Sequence, residues 1–259
     1  MKLTFLGTGT SFGVPQIGCH CRVCRSSDPR DRRTRVGAVV ETDGGVQILI
    51  DTPPELRLQL VTAGIDKVDA VLMTHEHADH THGMDDLRAI TVRRDSPLPV
   101  YASAETHAAL AQKFAYIFDE KMRPLPGTSK PEGAARVITA GTPFDIGDAH
   151  VVPFQVPHGH VMVMGFRIGP LAYITDAKSI PDDVLREIAG VKVLVLNALF
   201  RVEHPTHMSI PEAVRVAQAV GAERTFLTHL THDYLHADLE AELPRGIAPA
   251  FDGLTLRVD

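Results

Sequence analysis

Apolar residues along this chain gather in short runs bounded by Gly, Pro, Asn and Asp, the pattern of strands that alternate with helices. Such runs predict strands at Lys2–Leu6, Arg35–Glu41, Val46–Ile50, Val68–Thr74, Pro99–Ala102 and Arg136–Ala140. Others follow at His150–Val156, Val161–Ile168, Leu171–Thr175, Val191–Leu196 and Arg224–Thr228. Asp43-Gly44-Gly45 separates two runs with a hairpin signal, and Phe251-Asp252-Gly253-Leu254 reads as a final hairpin turn. Helical spacing appears at Pro54–Ala63, with Pro near its start and Gly64 past its end, and at Met84–Arg93 and Ala104–Ala115. It recurs at Pro181–Ala189 and at Ile210–Val220, closed by Gly221. The most loop-like stretch, Pro124–Gly133, falls near mid-chain, and no repeat at solenoid spacing is visible. Both halves mix strands and helices in the same order. Two sheets packed face to face with helices outside would accommodate that, so the expected class is α/β.

Composition narrows the function classes. At 259 residues the chain is long enough to bury a sizeable core, and 44% apolar with 22% charged residues is ordinary for a globular protein. A net charge of −6 argues against a dedicated nucleic-acid binder, yet leaves room for a small anionic substrate in a locally positive site. No apolar run approaches the roughly 18–20 residues of a membrane span. The run Met1–Leu6 is broken at Gly7, too short for a signal-peptide core, so no membrane contact and a cytoplasmic location are expected.

The chemistry is concentrated in Thr74-His75-Glu76-His77-Ala78-Asp79-His80, directly after a strand-like run. Imidazoles crowded this closely repel one another when protonated. A divalent cation relieves that by binding the neutral rings, and imidazole with carboxylate suits zinc and other first-row ions. His75 and His77 are two apart and can aim at one ion; Asp79 and His80 are offset and can face a neighbouring one. The only three cysteines, Cys19, Cys21 and Cys24, lie within six residues, a poor disulfide framework but a good thiolate set for one soft ion.

The pattern His75-x-His77-x-Asp79-His80 after a strand resembles the signature of the metallo-β-lactamase superfamily. Leu6-Gly7-Thr8-Gly9-Thr10 and Leu49-Ile50-Asp51 resemble it too. Gly18-Cys19-x-Cys21-x-x-Cys24 is narrower and resembles the PhnP-like phosphodiesterases, whose namesake hydrolyses a phosphoribosyl cyclic phosphate. The likeness runs from Met1 to about Asp252. It implies a single domain over residues 1–259, folded as a four-layer αββα sandwich, with two divalent metals (zinc or manganese) in the cleft.

The resemblance places His75, His77 and His158 on one metal, with His160 a substrate-facing alternative. It places Asp79, His80 and His229 on the other, with Asp176 bridging. It puts His207 near the leaving group as general acid, with His204 competing for that role. His232, three residues after His229, completes Cys19, Cys21 and Cys24 as a separate structural zinc site, for which His20 is the alternative fourth ligand. Asp51 either orients a ligand histidine or serves a turn. His82, Asp85, Asp86 and Arg88 either shape the rim or cap a helix. The implied reaction is attack on a small, possibly cyclic, phosphodiester of a ribose or nucleotide by a hydroxide bridging both metals. Asp79 and His207 are its catalytic side chains, and a homodimer is plausible by family. Alternatives are a tRNA 3′-end endonuclease, whose basic arm is not visible here, a thioester, lactone or β-lactam hydrolase, and a zinc-binding module without catalysis.

Overall fold

In the computed structural model, which describes residues 1–259, the chain forms two seven-stranded sheets. The first half supplies β1 (Lys2–Gly7), β2 (Gly37–Glu41), β3 (Gln47–Ile50), β4 (Ala70–Leu72), β5 (Leu98–Ala102) and β6 (Gly133–Val137). The second supplies β7 (Phe144–Ile146), β8 (Ala149–His158), β9 (Val161–Ile168), β10 (Leu171–Tyr173), β11 (Val193–Asn197), β12 (Arg224–Thr228) and β13 (Ile247–Pro249). A last strand, β14 (Thr255–Arg257), returns to the first sheet beside β1. The orders are β14-β1-β2-β3-β4-β5-β6 and β13-β12-β11-β10-β9-β8-β7. In each sheet the earlier strands pair antiparallel as hairpins, and the later ones run parallel through helical crossovers.

Three apolar clusters explain the layers. Leu3, Phe5, Ile48 and Ile50 from one sheet meet Phe166, Tyr173, Val193 and Val195 from the other, all fully buried. The opposite face of the first sheet, with Leu49, Val71 and Val100, is covered by α1 (Leu56–Ala63), α3 (Arg88–Arg94) and α4 (Ala104–Lys113). The opposite face of the second, with Leu194, Leu196 and Leu227, is covered by α6 (Asp182–Glu187), α7 (Ile210–Val220) and α8 (His236–Glu242). The short α2 (Ala78–Thr81) and α5 (Ala115–Phe118) fill connections. The result is the expected αββα sandwich.

Several boundaries differ from the sequence pattern. Met84–Arg93 divides into a 3₁₀ turn, Met84–Leu87, and α3. The strand expected at Arg136–Ala140 lies earlier, at Gly133–Val137, because it pairs in register with Leu98–Ala102. The loop-like stretch Pro124–Gly133 leads into β6 in the first sheet, and the sheets divide after β6, where Gly141 takes a left-handed turn. Phe251–Leu254 is not a hairpin turn. It carries the chain from β13 in one sheet to β14 in the other, and Gly253 N–H bonds Phe5 carbonyl at 2.8 Å. Strands β7, β13 and β14 and helix α8 carry too few apolar residues to be seen by periodicity.

Glycine matters most at the end of β1. A side chain at Gly7 would lie 2.0 Å from the Arg35 carbonyl, so backbone packs directly on backbone there. Thr8 carbonyl then accepts from Leu230 N–H at 2.8 Å, tying the loop after β1 to the residue after His229. The buried Arg33 guanidinium donates to Thr8 Oγ1 at 2.8 Å and to Ala250 carbonyl at 2.6 Å. Helix α7 is fixed at its start by a capping box between Ser209 and Glu212.

Burial opposes charge on Glu212, but hydrogen bonds from Lys178 and Ser209 outweigh it and hold the carboxyl at about 2, below its ordinary 4.5. A depressed carboxyl stabilises the fold above its unfolded value and loses that contribution as pH falls toward the folded one. Glu212→Gln is therefore expected to lower the melting temperature at pH 7, by the equivalent of about 1 kcal/mol, and the gap should narrow from pH 5 toward pH 3. A gap that does not change with pH would refute this ionic account.

Candidate metal centres

Most central site residues lie just past the C-terminal end of a strand in the parallel part of a sheet, where open α/β sheets hold ligands, while His158 ends the antiparallel β8. Asp51 follows β3, and His75 to His80 follow β4. Asp176 follows β10, and His229 follows β12. Asp51, Asp176 and His229 have φ of 63°, 60° and 57°. Left-handed backbone at a residue other than Gly costs about 1–3 kcal/mol and persists where packing enforces it, typically at functional sites. Asp and His tolerate it better than most residues.

The carboxylate of Asp176 lies at the centre. Its Oδ2 is 3.8 Å from His75 Nε2 and 3.9 Å from His158 Nε2. Its Oδ1 is 3.5 Å from His80 Nε2 and 3.6 Å from His229 Nε2. The two oxygens thus face two different histidine groups. His77 Nδ1 joins the first group, 2.8 Å from His75 Nε2. Asp79 Oδ2 joins the second, 3.6 Å from His80 Nε2 and 3.9 Å from His229 Nε2. His158, the last residue of β8, is in the cluster, whereas His160 lies beyond the Gly159 turn and is exposed. His207 Nε2 sits 3.2 Å from Asp176 Oδ2.

This donor set fits a pair of divalent cations. His80 Nε2 and both ring nitrogens of His229 are buried without a hydrogen-bond partner, a state that costs free energy unless something binds there. Burial pulls His75 well below the ordinary imidazole range, leaving it in the neutral form that ligates. Burial disfavours charge on His80 as well, but the adjacent Asp176 and Asp51 carboxylates hold it well above that range.

Behind these rings lies a shell that spacing along the chain largely hides. Asp51, fully buried, accepts from His80 Nδ1 at 2.7 Å and from Thr74 N–H and Oγ1, each at 2.8 Å. Thr74 Oγ1 also meets His75 Nδ1 at 3.0 Å. One hydroxyl thus helps set the tautomer and tilt of a histidine in each group. His158 Nδ1 donates to the Thr206 carbonyl at 2.9 Å, and Thr206 Oγ1 meets His207 Nδ1 at 2.8 Å. Asn197 clamps the turn after Asp176 with two bonds to Ala177, at 2.8 and 3.0 Å. Thr74 and Thr206 each stand beside a histidine in sequence, but nothing in that adjacency says which ring they face.

Of the rim residues, Asp85 bonds Arg88 at 2.7 Å and Tyr116 Oη at 2.9 Å, and Asp86 accepts from Arg57 N–H at 3.1 Å. The His82 ring meets Phe114 edge-on at 6.0 Å. These side chains pair with one another and with neighbouring helices, and neither aspartate caps the 3₁₀ turn that holds it.

A second cluster stands apart. His232 Nδ1 is 3.3 Å from Cys19 Sγ, 3.6 Å from Cys21 Sγ and 3.3 Å from Cys24 Sγ. His20 is exposed and outside it. The Cys24 N–H lowers the Cys21 thiol to about 6, while burial pushes Cys24 up to about 11. Four donors converging on one point suit a closed tetrahedral zinc site, which leaves no position for a reacting water.

Two outcomes follow. Thr74→Val should weaken binding of the paired metals about 10–100-fold, read by competition with a chelator dye, while leaving the Cys-site zinc in place. Cys24→Ser should remove one zinc per chain by elemental analysis and lower the melting temperature, while the paired-metal content is retained. Equal loss at both sites in either variant would contradict two independent centres.

Comparison with known proteins agrees with this geometry. The Beta-lactamase superfamily domain matches residues 46–230. A crystal structure described as a new diphosphatase from the PhnP family superposes with a TM-score of 0.91 at 39% identity, covering 100% of this chain and 98% of that one. Zinc-bound PqqB from Methylobacterium extorquens superposes at 0.78 with 21% identity, covering 99% and 100%, a likeness of fold. An octanoyltransferase of Porphyromonas gingivalis is 40% identical over 264 residues, covering 100% of this chain and 52% of the relative, so the chain spans about half the length of that relative. The matched domain, together with full-length likeness at 39% identity, places this chain in the metallo-β-lactamase superfamily, as a member of its PhnP family.

Proposed function

We propose that this chain is a metal-dependent phosphodiesterase acting on a small, possibly cyclic, phosphodiester of a ribose or nucleotide. The observation that carries the reading is the central carboxylate of Asp176, whose two oxygens face two separate histidine groups. His75, His77, His158 and Asp176 would hold one divalent ion; Asp79, His80, His229 and Asp176 would hold the other. Such a pair would supply an acidified water as nucleophile and would neutralise charge gathering at phosphorus.

The protein's own groups do the rest. Asp79, at the first turn of α2, lies against both His80 and His229 and would orient the attacking water's proton. His207 holds a proton at Nε2 in the buried wall of the cleft, aimed at the central carboxylate in the free protein and available to a departing alkoxide. Burial pushes His207 to about 4, so its acid role depends on the negative charge of a bound phosphate, which favours the imidazolium. The Thr206 hydroxyl at Nδ1 keeps the ring pointed inward.

The substrate enters as a free small anion, with neither nucleic acid nor membrane as a standing partner. The net charge of −6 supports the first point, and no helix is long and apolar enough to cross a membrane. A cytoplasmic location belongs to the same reading, as does assembly as a homodimer, with zinc or manganese in the paired site and zinc on the cysteines. The name of the Porphyromonas gingivalis relative favours an octanoyl ester or thioester as the second substrate class.

Purified protein saturated with zinc or manganese should hydrolyse bis(p-nitrophenyl) phosphate and leave an octanoyl thioester untouched. His207→Gln should lower kcat at least about 10²-fold with metals retained. Asp176→Asn should lose both activity and paired metal. No turnover of the diester with both metals bound, or turnover of the thioester alone, would overturn the reading.

A further inference from the structure

Two of the helices over the first sheet leave a shared outer face uncovered. Helices α1 and α3 follow the parallel strands β3 and β4 and run side by side. Where they begin, Arg57 N–H donates to Asp86 Oδ2 at 3.1 Å; where they end, Arg93 Nη2 donates to the Asp66 carbonyl at 2.7 Å. Between them lies a groove of about 340 Å³, floored by Leu60 and Ile90, which pack into the core beneath. The outward positions are apolar as well. Val61 is 70% exposed, Val92 56% and Leu58 55%. A helix face that meets only water is ordinarily polar, so large apolar side chains on both helices mark a surface of association.

Charge around the groove identifies the occupant. Arg57 and Asp86 stand at the helix starts, and Asp66 and Arg93 at the helix ends. None of the four has an ion-pair partner within the chain, although Asp85 and Arg88 beside them pair at 2.7 Å, and Asp69 and Arg94 at 3.6 Å. Their signs alternate: positive and negative across the starts, negative and positive across the ends. Consider a second copy turned about a two-fold axis that lies in the plane of this face. With the axis parallel to the helices, Arg57 meets the partner's Asp86 and Asp66 meets the partner's Arg93. With the axis perpendicular to them, Arg57 meets the partner's Asp66 and Asp86 meets the partner's Arg93. In both arrangements every charge faces its opposite, and each contact occurs twice. A partner of one sign would be attracted by half of these groups and repelled by the other half.

We infer that the α1/α3 face binds a second copy of this chain. Val61, Leu58 and Val92 supply its apolar surface, and the four charged groups set its register. This gives a surface to the homodimer of the proposed function and rests on that reading for the assembly alone, since no step at the metals enters it. The face lies outside the helix layer, whereas the cleft opens at the strand ends, so pairing leaves the cleft open.

Sedimentation equilibrium on the zinc-loaded chain tests this. At micromolar concentration the wild-type species should weigh twice the 28.2 kDa of one chain. Val61→Glu should weigh 28.2 kDa, with far-UV circular dichroism and metal content unchanged. Charge reversal supplies a second route should that variant fail to fold. Arg57→Glu should weaken the dimer at least about tenfold. Adding either Asp86→Arg or Asp66→Arg to it should restore wild-type affinity in one of the two double variants, and the one restored gives the axis. A monomeric wild-type chain, a folded Val61→Glu chain that stays dimeric, or restoration in neither double variant would overturn the inference. Hydrolysis of the diester is read separately: a dimer that cleaves nothing refutes the catalytic reading and leaves this face standing, and a monomer that cleaves it does the reverse.

Discussion

Five imidazoles and two carboxylates converge where most of them are withdrawn from water, an arrangement that favours positive charge between them. Asp176 is almost completely buried, as are His75, His80 and His229. Taking a carboxylate out of water is costly unless it is paired. A divalent pair would supply that counter-charge and would satisfy the ring nitrogens that have no partner. The fold accepts left-handed backbone at Asp51, Asp176 and His229 to bring these groups together.

The architecture makes that convergence inexpensive. Each sheet's parallel strands deliver their C-terminal ends to the same edge of the sandwich, so side chains more than a hundred residues apart meet without a long loop between them. The flanking helices bury the outer faces, and the central core fixes the distance between the sheets. Rigidity at the strand ends then passes to the ligands through short bonds, Asp51 to His80 and Thr74 to His75, rather than through loop packing.

The cysteine cluster and the histidine cluster lie on one rim. His229 and His232 lie three residues apart on the same loop after β12, one in each cluster. Order in the cysteine loop is therefore coupled to the cleft wall by covalent continuity. A small domain edge that lacks apolar residues for packing can be held in this way by a single closed metal site.

Much of the site was legible from local spacing. His75, His77, Asp79 and His80 stand within six residues, and three cysteines crowded into another six suit a shared soft ion far better than a disulfide pair. The sheet-forming runs of both halves were legible for the same reason: buried strands need contiguous apolar residues. Strands β7, β13 and β14 were not, because short edge strands draw stability from neighbours rather than from their own side chains. Tertiary structure alone decided that His158 and not His160 reaches the cluster, a choice made by the pairing of His158 with Val161 around the turn. It alone divided the two oxygens of Asp176 between two groups and turned Asp51 and Thr74 toward the rings. Spacing along a chain fixes what one loop can aim at, whereas the meeting of separate loops depends on which strand ends the packed sheets bring side by side.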